Sequence, residues 1–320
     1  MFGANNIVTG LDIGVGSVKA VRLRHGRGPA ELLGLSIVEI DGETAGDPPE
    51  HPSRREAIIE AVRKTFEALG VQPTKVGAVA SAVGGPNVSV KELTFPSMRR
   101  EKFAESLQYE ARRHVPFEPA DVILDFQVFE RADRDKDGQM RVLLGAAKKS
   151  VIERHVGILG EVGVEPFLVD LEPLALLNEA DAEGLVNSRS MGVIEIGSAA
   201  ANITAYRRGA FFFARSIPLR AGLGAQPKDS GWLRVLIEEA RVSLSYFDNR
   251  AGKDGIETLC LSGGRSLGEG VVDAFSDALG VKTALLDPLA SVAETSIDVG
   301  ELRKQGPRFA MAFGLARRRG

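Results

Sequence analysis

Gly10-Leu-Asp-Ile-Gly-Val-Gly-Ser-Val-Lys-Ala-Val-Arg-Leu23 is the stretch on which the reading of the fold turns. Apolar residues alternate up to Ile13, small residues interrupt them, and alternation resumes from about Ser17. Period-two patterning on both sides of a glycine-rich turn predicts a β-hairpin. Two other readings fail on the same residues. Gly14-Val-Gly16 would suggest a dinucleotide fingerprint only if a helix followed at once, and a strand follows instead. The chain has no Gly-x4-Gly-Lys-Ser/Thr run, so the P-loop reading fails too.

The same design returns further along. Val193-Ile-Glu-Ile-Gly-Ser-Ala-Ala-Ala-Asn-Ile-Thr-Ala-Tyr206 is a second hairpin, with Glu195 and Gly197 matching Asp12 and Gly14. After the first hairpin the pattern gives a strand at Glu31–Ile40 and then a helix. Ser53 and Glu56 read as its capping box; Ala57, Ile58, Ala61, Val62, Phe66 and Leu69 form its apolar stripe, and Gly70 ends it. A strand at Val76–Val83 then runs into Gly84-Gly85. After the second hairpin come a strand at Ala210–Ile217, a helix at about Trp232–Phe247, a strand at Glu257–Leu261 and Gly263-Gly264. One element order used twice predicts a duplicated α/β protein, with lobes at about 1–186 and 187–320.

Between them Asn87–Val164 does not repeat. It predicts a helix at about Arg99–His114, strands near Val122–Phe129 and Arg141–Ala147, and a helix at Ser150–Leu159. The charged stretch Arg131–Gly138 reads as the loop of that strand pair. The expectation is a small α+β insertion in the first lobe.

A turn of small residues lets backbone N–H groups approach an anion. Gly14, Gly16 and Ser17 offer this in the first lobe, and Gly197, Ser198 and Ala199 in the second. Two such turns across a cleft could clamp the phosphates of a nucleotide. Asp12 and Glu195 could hold the water shell of Mg²⁺, and Lys19 could meet a phosphate. Taken singly, a glycine turn beside an acid is common hairpin chemistry. A purely structural turn, however, need not carry the acid twice.

The 320 residues suffice for about two domains, and a composition of 44% hydrophobic and 26% charged residues suits a globular chain. A net charge of −3 gives no support to a nucleic-acid binder. Four scattered histidines lack metal-ligand spacing. Cys260 lies between Leu259 and Leu261 and reads as a buried strand residue in a reducing compartment. The sequence shows no signal peptide pattern and no apolar run near 20 residues. The expected location is therefore the cytoplasm, with any membrane association made through partners.

The doubled acidic-x-Gly hairpin and the late Ser-Gly-Gly turn resemble the actin/Hsp70/sugar-kinase superfamily. The resemblance implies ATP or ADP with Mg²⁺ as ligand. It makes Asp12, Gly14, Ser17 and Lys19 the first phosphate loop and Glu195, Gly197 and Ser198 the second. It makes Ser262, Gly263, Gly264 and Arg265 the adenosine loop, and gives the acid of Asp170-Leu-Glu172-Pro a place near the metal's water. Several phrases resemble the PilM family of type IV pilus assembly proteins, which is related to the cell-division protein FtsA. They are Tyr109-Glu-Ala-Arg-Arg-His-Val-Pro-Phe117, Leu144-Gly-Ala-Ala-Lys148, Val162-Gly-Val-Glu-Pro-Phe-Leu-Val-Asp-Leu-Glu-Pro173 and the tail Ala312-Phe-Gly-Leu-Ala-Arg317.

That resemblance implies a cytoplasmic assembly platform that binds the tail of a PilN-like bitopic inner-membrane protein and meets other platform components. The groove would lie between the main first-lobe subdomain and the insertion, with Phe95, Tyr109, Val115 and Phe117 as its candidate residues. Two departures bear on the nucleotide. Glu195 stands where the superfamily usually has Asp, and the bridge Arg220–Trp232 is too short for the usual adenine lid. Nucleotide binding is thus expected to be degenerate, with at most weak ATPase activity and no catalytic residue assigned. The alternatives are an active filament-forming ATPase and a sugar-kinase-like phosphotransferase. The tail Pro307–Arg319 could form a membrane-surface helix, but docking on the first lobe is the expectation, because no linker precedes it.

Overall fold

In the computed structural model, which describes residues 6–40, 51–129, 138–185, 190–207, 210–219, 231–251, 255–291 and 299–318, both hairpins form where their alternation predicts. β1 (Ile7–Ile13) and β2 (Ser17–Arg24) pair antiparallel, and β3 (Glu31–Glu39) adds to β2. Helix α1 (Pro52–Ala68) then crosses the sheet and places β4 (Ala78–Val83) parallel to β1. Ile58, Ile59, Ala61, Val62, Thr65 and Phe66 are the buried face of α1. Full burial of a side chain such as Phe66 contributes about 2–3 kcal/mol.

The capping box is corrected. The N-cap is His51, and Pro52, which lacks an N–H and has its φ preset, starts the helix. Ser53 therefore lies inside the first turn, with its Oγ 2.7 Å from His51 Nδ1.

β5 (Val88–Pro96), α2 (Arg100–His114), β6 (Val122–Val128) and β7 (Gln139–Lys148) make up the insertion. Its loop residues 130–137 lie outside the described residues. Helix α3 (Lys149–Val162) packs on α1, with Ile158, Leu159 and Val162 in the first-lobe core. β8 (Leu168–Leu171) then pairs parallel with β4 and leads directly into α4 (Glu172–Ala182).

The second lobe repeats the plan. β9 (Ser190–Ile196), β10 (Ala200–Arg207) and β11 (Ala210–Pro218) form the antiparallel set. After α5 (Gly231–Ala251), β12 (Thr258–Ser262) lies parallel to β9. α6 (Val271–Leu279) and β13 (Lys282–Leu285) follow, and then α7 (Pro288–Ser291). The first sheet runs β3-β2-β1-β4-β8, and the second contains the matching order β11-β10-β9-β12-β13. This is the duplicated actin-like architecture.

The second sheet does not stop at β11. It continues through β5, β7 and β6 to eight strands, joined at the pair Phe213 and Lys91. The insertion hangs between the lobes, not on the first lobe alone.

The chain closes on the first lobe. A 3₁₀ segment, Gly300–Phe309, leads into α8 (Ala310–Ala316), every residue of which is buried. Phe309, Ala312, Phe313 and Ala316 share a core with Val21, Leu23 and Leu32. Gly10 permits this approach, since a Cβ there would stand 2.0 Å from Ala312 O. Arg317 then bonds Glu179, and Arg318 bonds Asp170, both at 2.6 Å. The tail is docked as expected, its arginines held by acids of β8 and α4.

Candidate functional site

The two hairpin turns face each other across a cleft of about 450 Å³. Their proximity is direct, because a Cβ on Gly16 would lie 3.2 Å from Ser198 Oγ. Asp12, Gly14, Gly16, Ser17, Lys19, Glu172, Glu195, Gly197, Ser198, Gly263, Gly264 and Arg265 all line this cleft. Residues distributed from β1 to the turn after β12 thus meet in one place.

Within the turns, Gly14 N donates to Ser17 O (3.0 Å) and Gly197 N to Ala200 O (2.9 Å). Those two N–H groups close the turns and are not free for a ligand, which corrects their expected role as anion donors. Gly263, at φ +85°, is required by its position: a Cβ there would meet the backbone of Ile196 at 2.5 Å. Ser262 is also corrected. It is fully buried beneath the turn and does not line the cleft.

Three carboxylates converge on the floor, each delivered by a strand end. Asp12 leaves β1, Glu195 leaves β9, and Glu172 follows β8 as the first residue of α4. Lys19, opposite Asp12 in the hairpin register, bonds it at 2.8 Å. The expected phosphate partner is thus neutralised by the expected metal ligand. Asn202, opposite Glu195, donates Nδ2 to Glu195 Oε2 and to Glu172 Oε2, each at 3.2 Å.

Burial, reinforced by Glu195 and Asp12, pushes Glu172 up to about 8. Burial and then Asp12 push Glu195 up to about 7, with Lys19 and Asn202 opposing. Behind Asp12, His155 on α3 lies 2.8 Å from Ser81 Oγ, whose hydroxyl donates to Leu11 O. His155 is therefore the donor through Nε2. Burial holds it down to about 4, against the pull of Asp12, so it is neutral at pH 7.

Three carboxylates beside one lysine suit a divalent cation that keeps its waters, whose charge would favour the ionised forms of Glu172 and Glu195. Among the described residues, no group of three or more Asp, Glu, His or Cys side chains has the geometry to ligate an ion directly. Asn202, Glu39, Arg308 and Met311 also line the cleft and were not singled out from sequence. Only the cross-strand register could have signalled Asn202.

Arg265 donates to Ser198 O (3.2 Å) and stacks over Trp232 at 5.3 Å. Residues 220–230 of the shortened lid bridge lie outside the described residues. Cys260 is buried in β12, and burial pushes its thiol up to about 11, which makes it inert.

Two of the partner-groove candidates, Val115 and Phe117, line a cavity of about 1060 Å³ between the α2–β6 segment of the insertion and the start of α3. Phe95 and Val115 are buried in the insertion's own core, Phe95 against Phe103 with ring centres 4.9 Å apart. Phe117 packs against the same core, and Tyr109 is exposed on α2. A second groove between insertion and first lobe, about 390 Å³, is lined by Ile123, Asp125 and Gln127 of β6, the whole of β8, and Ile152, Leu174, Arg100 and Arg318.

No helix among the described residues is long and apolar enough to cross a membrane.

A family model described as type IV pilus assembly protein PilM matches residues 10–221 and 230–320. Among solved structures, the chain is similar to one from a "PilM-PilN type IV pilus biogenesis complex", at 24% identity and TM-score 0.80, covering 97% of each chain. It is also similar to the ethanolamine utilization protein EutJ from Carboxydothermus hydrogenoformans, at 12% identity and TM-score 0.51, covering 99% of this chain and 90% of that one. At these identities the structural likeness speaks to the fold.

Proposed function

On the premise that this chain belongs to the PilM family of type IV pilus assembly proteins, we propose that it is a cytoplasmic platform which holds the tail of a PilN-like inner-membrane protein. The observation that carries this reading is the groove between β6 and β8. β6 is the last strand of one sheet and β8 the last strand of the other, so each offers an unpaired edge. An extended peptide can add to such an edge by backbone hydrogen bonds, with side-chain pockets setting specificity. Leu168, Leu171, Leu174, Ile123 and Ile152 supply the apolar lining, and Arg100 and Arg318 supply charge. Asp125 and Asp170 each cap the next residue's N–H at 2.8 Å, which guards the edges until a peptide arrives. Membrane association then comes through the tail, and contacts with other platform components build on that complex.

The cleft takes a nucleotide as a structural or regulatory ligand, an occupancy weakened by the short lid bridge after β11. Gly16, Ser17 and Ser198 would approach the phosphates. Asp12, Glu195 and Glu172 would hold the hydrated Mg²⁺, whose charge offsets that of the phosphates. The filament-forming and sugar-kinase readings have no observation of their own in the fold.

The test is titration of the full chain with a synthetic peptide from the partner's cytoplasmic tail. Binding should be lost in Leu171→Arg and kept in Tyr109→Ala. Binding that survives Leu171→Arg removes the groove reading.

A further inference from the structure

We propose that Arg308 is a ligand-gripping residue of the cleft, binding the phosphate chain of a nucleoside di- or triphosphate; this rests on the nucleotide reading above. Arg308 sits where the chain crosses from one lobe to the other. On one side of it, Pro307 O accepts from Gly263 N at 3.0 Å, which ties the backbone to the second lobe. On the other, Phe309 is fully buried in the first-lobe core with Val21 and Leu23. Anchored at both neighbours, the side chain is aimed into the cleft. Its Nη2 lies 3.5 Å from Ser17 Oγ, at the foot of the first hairpin turn. Its Nε lies against Gly264, where a Cβ would stand 3.7 Å away. The guanidinium therefore stands between the two walls.

The bonding around it is incomplete. Nε is buried with no hydrogen-bond partner, and an unpartnered buried donor is costly. Nη1 bonds Gln305 at 2.8 Å and Nη2 bonds Glu39, whose side chain is 64% exposed. A pair with so exposed a carboxylate is worth little. The other two cations lining the cleft are already engaged: Lys19 is neutralised by Asp12, and Arg265 is bonded to Ser198 O and stacked on Trp232. A phosphate oxygen can take Nε and Nη2 together in the fork geometry that a guanidinium favours. Glu39, also in the cleft lining, is then an internal carboxylate standing where that phosphate binds.

The experiment is calorimetric titration of the full chain with Mg·ADP and Mg·ATP, comparing wild type, Arg308→Ala, Arg308→Lys and Glu39→Gln. Arg308→Ala should weaken both nucleotides by about ten- to a hundredfold, the worth of a charge-assisted bidentate contact. Arg308→Lys should lose about tenfold, because it keeps the charge without the fork. Glu39→Gln should bind as tightly as wild type or tighter, since the competing carboxylate is gone. Unchanged affinity in Arg308→Ala overturns the proposal while leaving the nucleotide reading standing. Equal weakening in Arg308→Ala and Glu39→Gln also overturns it, because the pair would then only hold the lobes together. A wild type that binds neither nucleotide removes both readings. If Arg308→Ala fails to fold, Arg308→Lys carries the same comparison.

Discussion

In the first hairpin the register sets Asp12 opposite Lys19, and in the second the same register sets Glu195 opposite Asn202. The scaffold is duplicated down to the bond that closes each turn. The chemistry is not. Asp12 meets a cation and is neutralised, whereas Glu195 meets a neutral amide that it shares with Glu172. Duplication has therefore kept the backbone and split the charges, leaving Glu195 of the second lobe and Glu172 of the first to share an amide instead of a cation. Their raised affinity for protons is the physical trace of that split.

The comparison breaks most severely if Lys19 is removed. Lys19→Ala leaves Asp12 part-buried and unpaired beside two further carboxylates. A loss of about 2–3 kcal/mol is expected from the denaturation midpoint at pH 8, with Mg·nucleotide binding abolished. An unchanged midpoint would mean that the ion pair holds nothing in place.

Glu172→Gln sharpens the comparison through pH. The folded Glu172 holds its proton up to about 8, above the ordinary carboxylate value of 4.5. Its contribution to stability is thus fully present below about 4.5 and is lost as pH rises through about 8. The glutamine variant cannot titrate. It should match wild type at pH 5 and exceed it by about 1–2 kcal/mol at pH 9, a figure kept small because the cleft floor is open to water on one side. Equal pH profiles for the two proteins would refute the assignment.

The smallest effect is expected from Asn202→Ala. Removing one shared amide costs about 1 kcal/mol and raises the pH at which the acid pair ionises. A stability change as large as that of Lys19→Ala would erase the distinction drawn between the hairpins.

Much of this was legible before any coordinates. Alternation on either side of two glycine turns fixes four strands, and their repeated order fixes the architecture. What escaped did so for physical reasons. β8 and β13 are four residues each, too short to show a period. β5 alternates, but it stands against a glycine-proline turn and owes its place to pairing with β7. Ser53 has the right spacing for a capping box, yet Pro52 starts α1 and moves the N-cap two residues earlier, to His51. Arg308 and Ser17 are 291 positions apart, and no local pattern joins them. Of the groove candidates, Phe95 is buried in the insertion core, while Val115 and Phe117 also line a cavity beside α3; the strand edges of β6 and β8 carry no local pattern that marks a groove.

The burial of α8 also bears on the order in which the molecule can be made. His25, next to the end of β2, meets the carbonyl of Ala316 at 2.8 Å, 291 positions later. At about 5–20 residues per second of synthesis, the first strands wait about 15–60 seconds for the helix that completes their core. During that interval Val21, Leu23 and Leu32 have no cover, and the nascent chain presents a sticky half-lobe to the cell. The first lobe to be translated is thus the last to be finished, and a ribosome stalled shortly before Phe309 releases a chain whose earliest-made half cannot close.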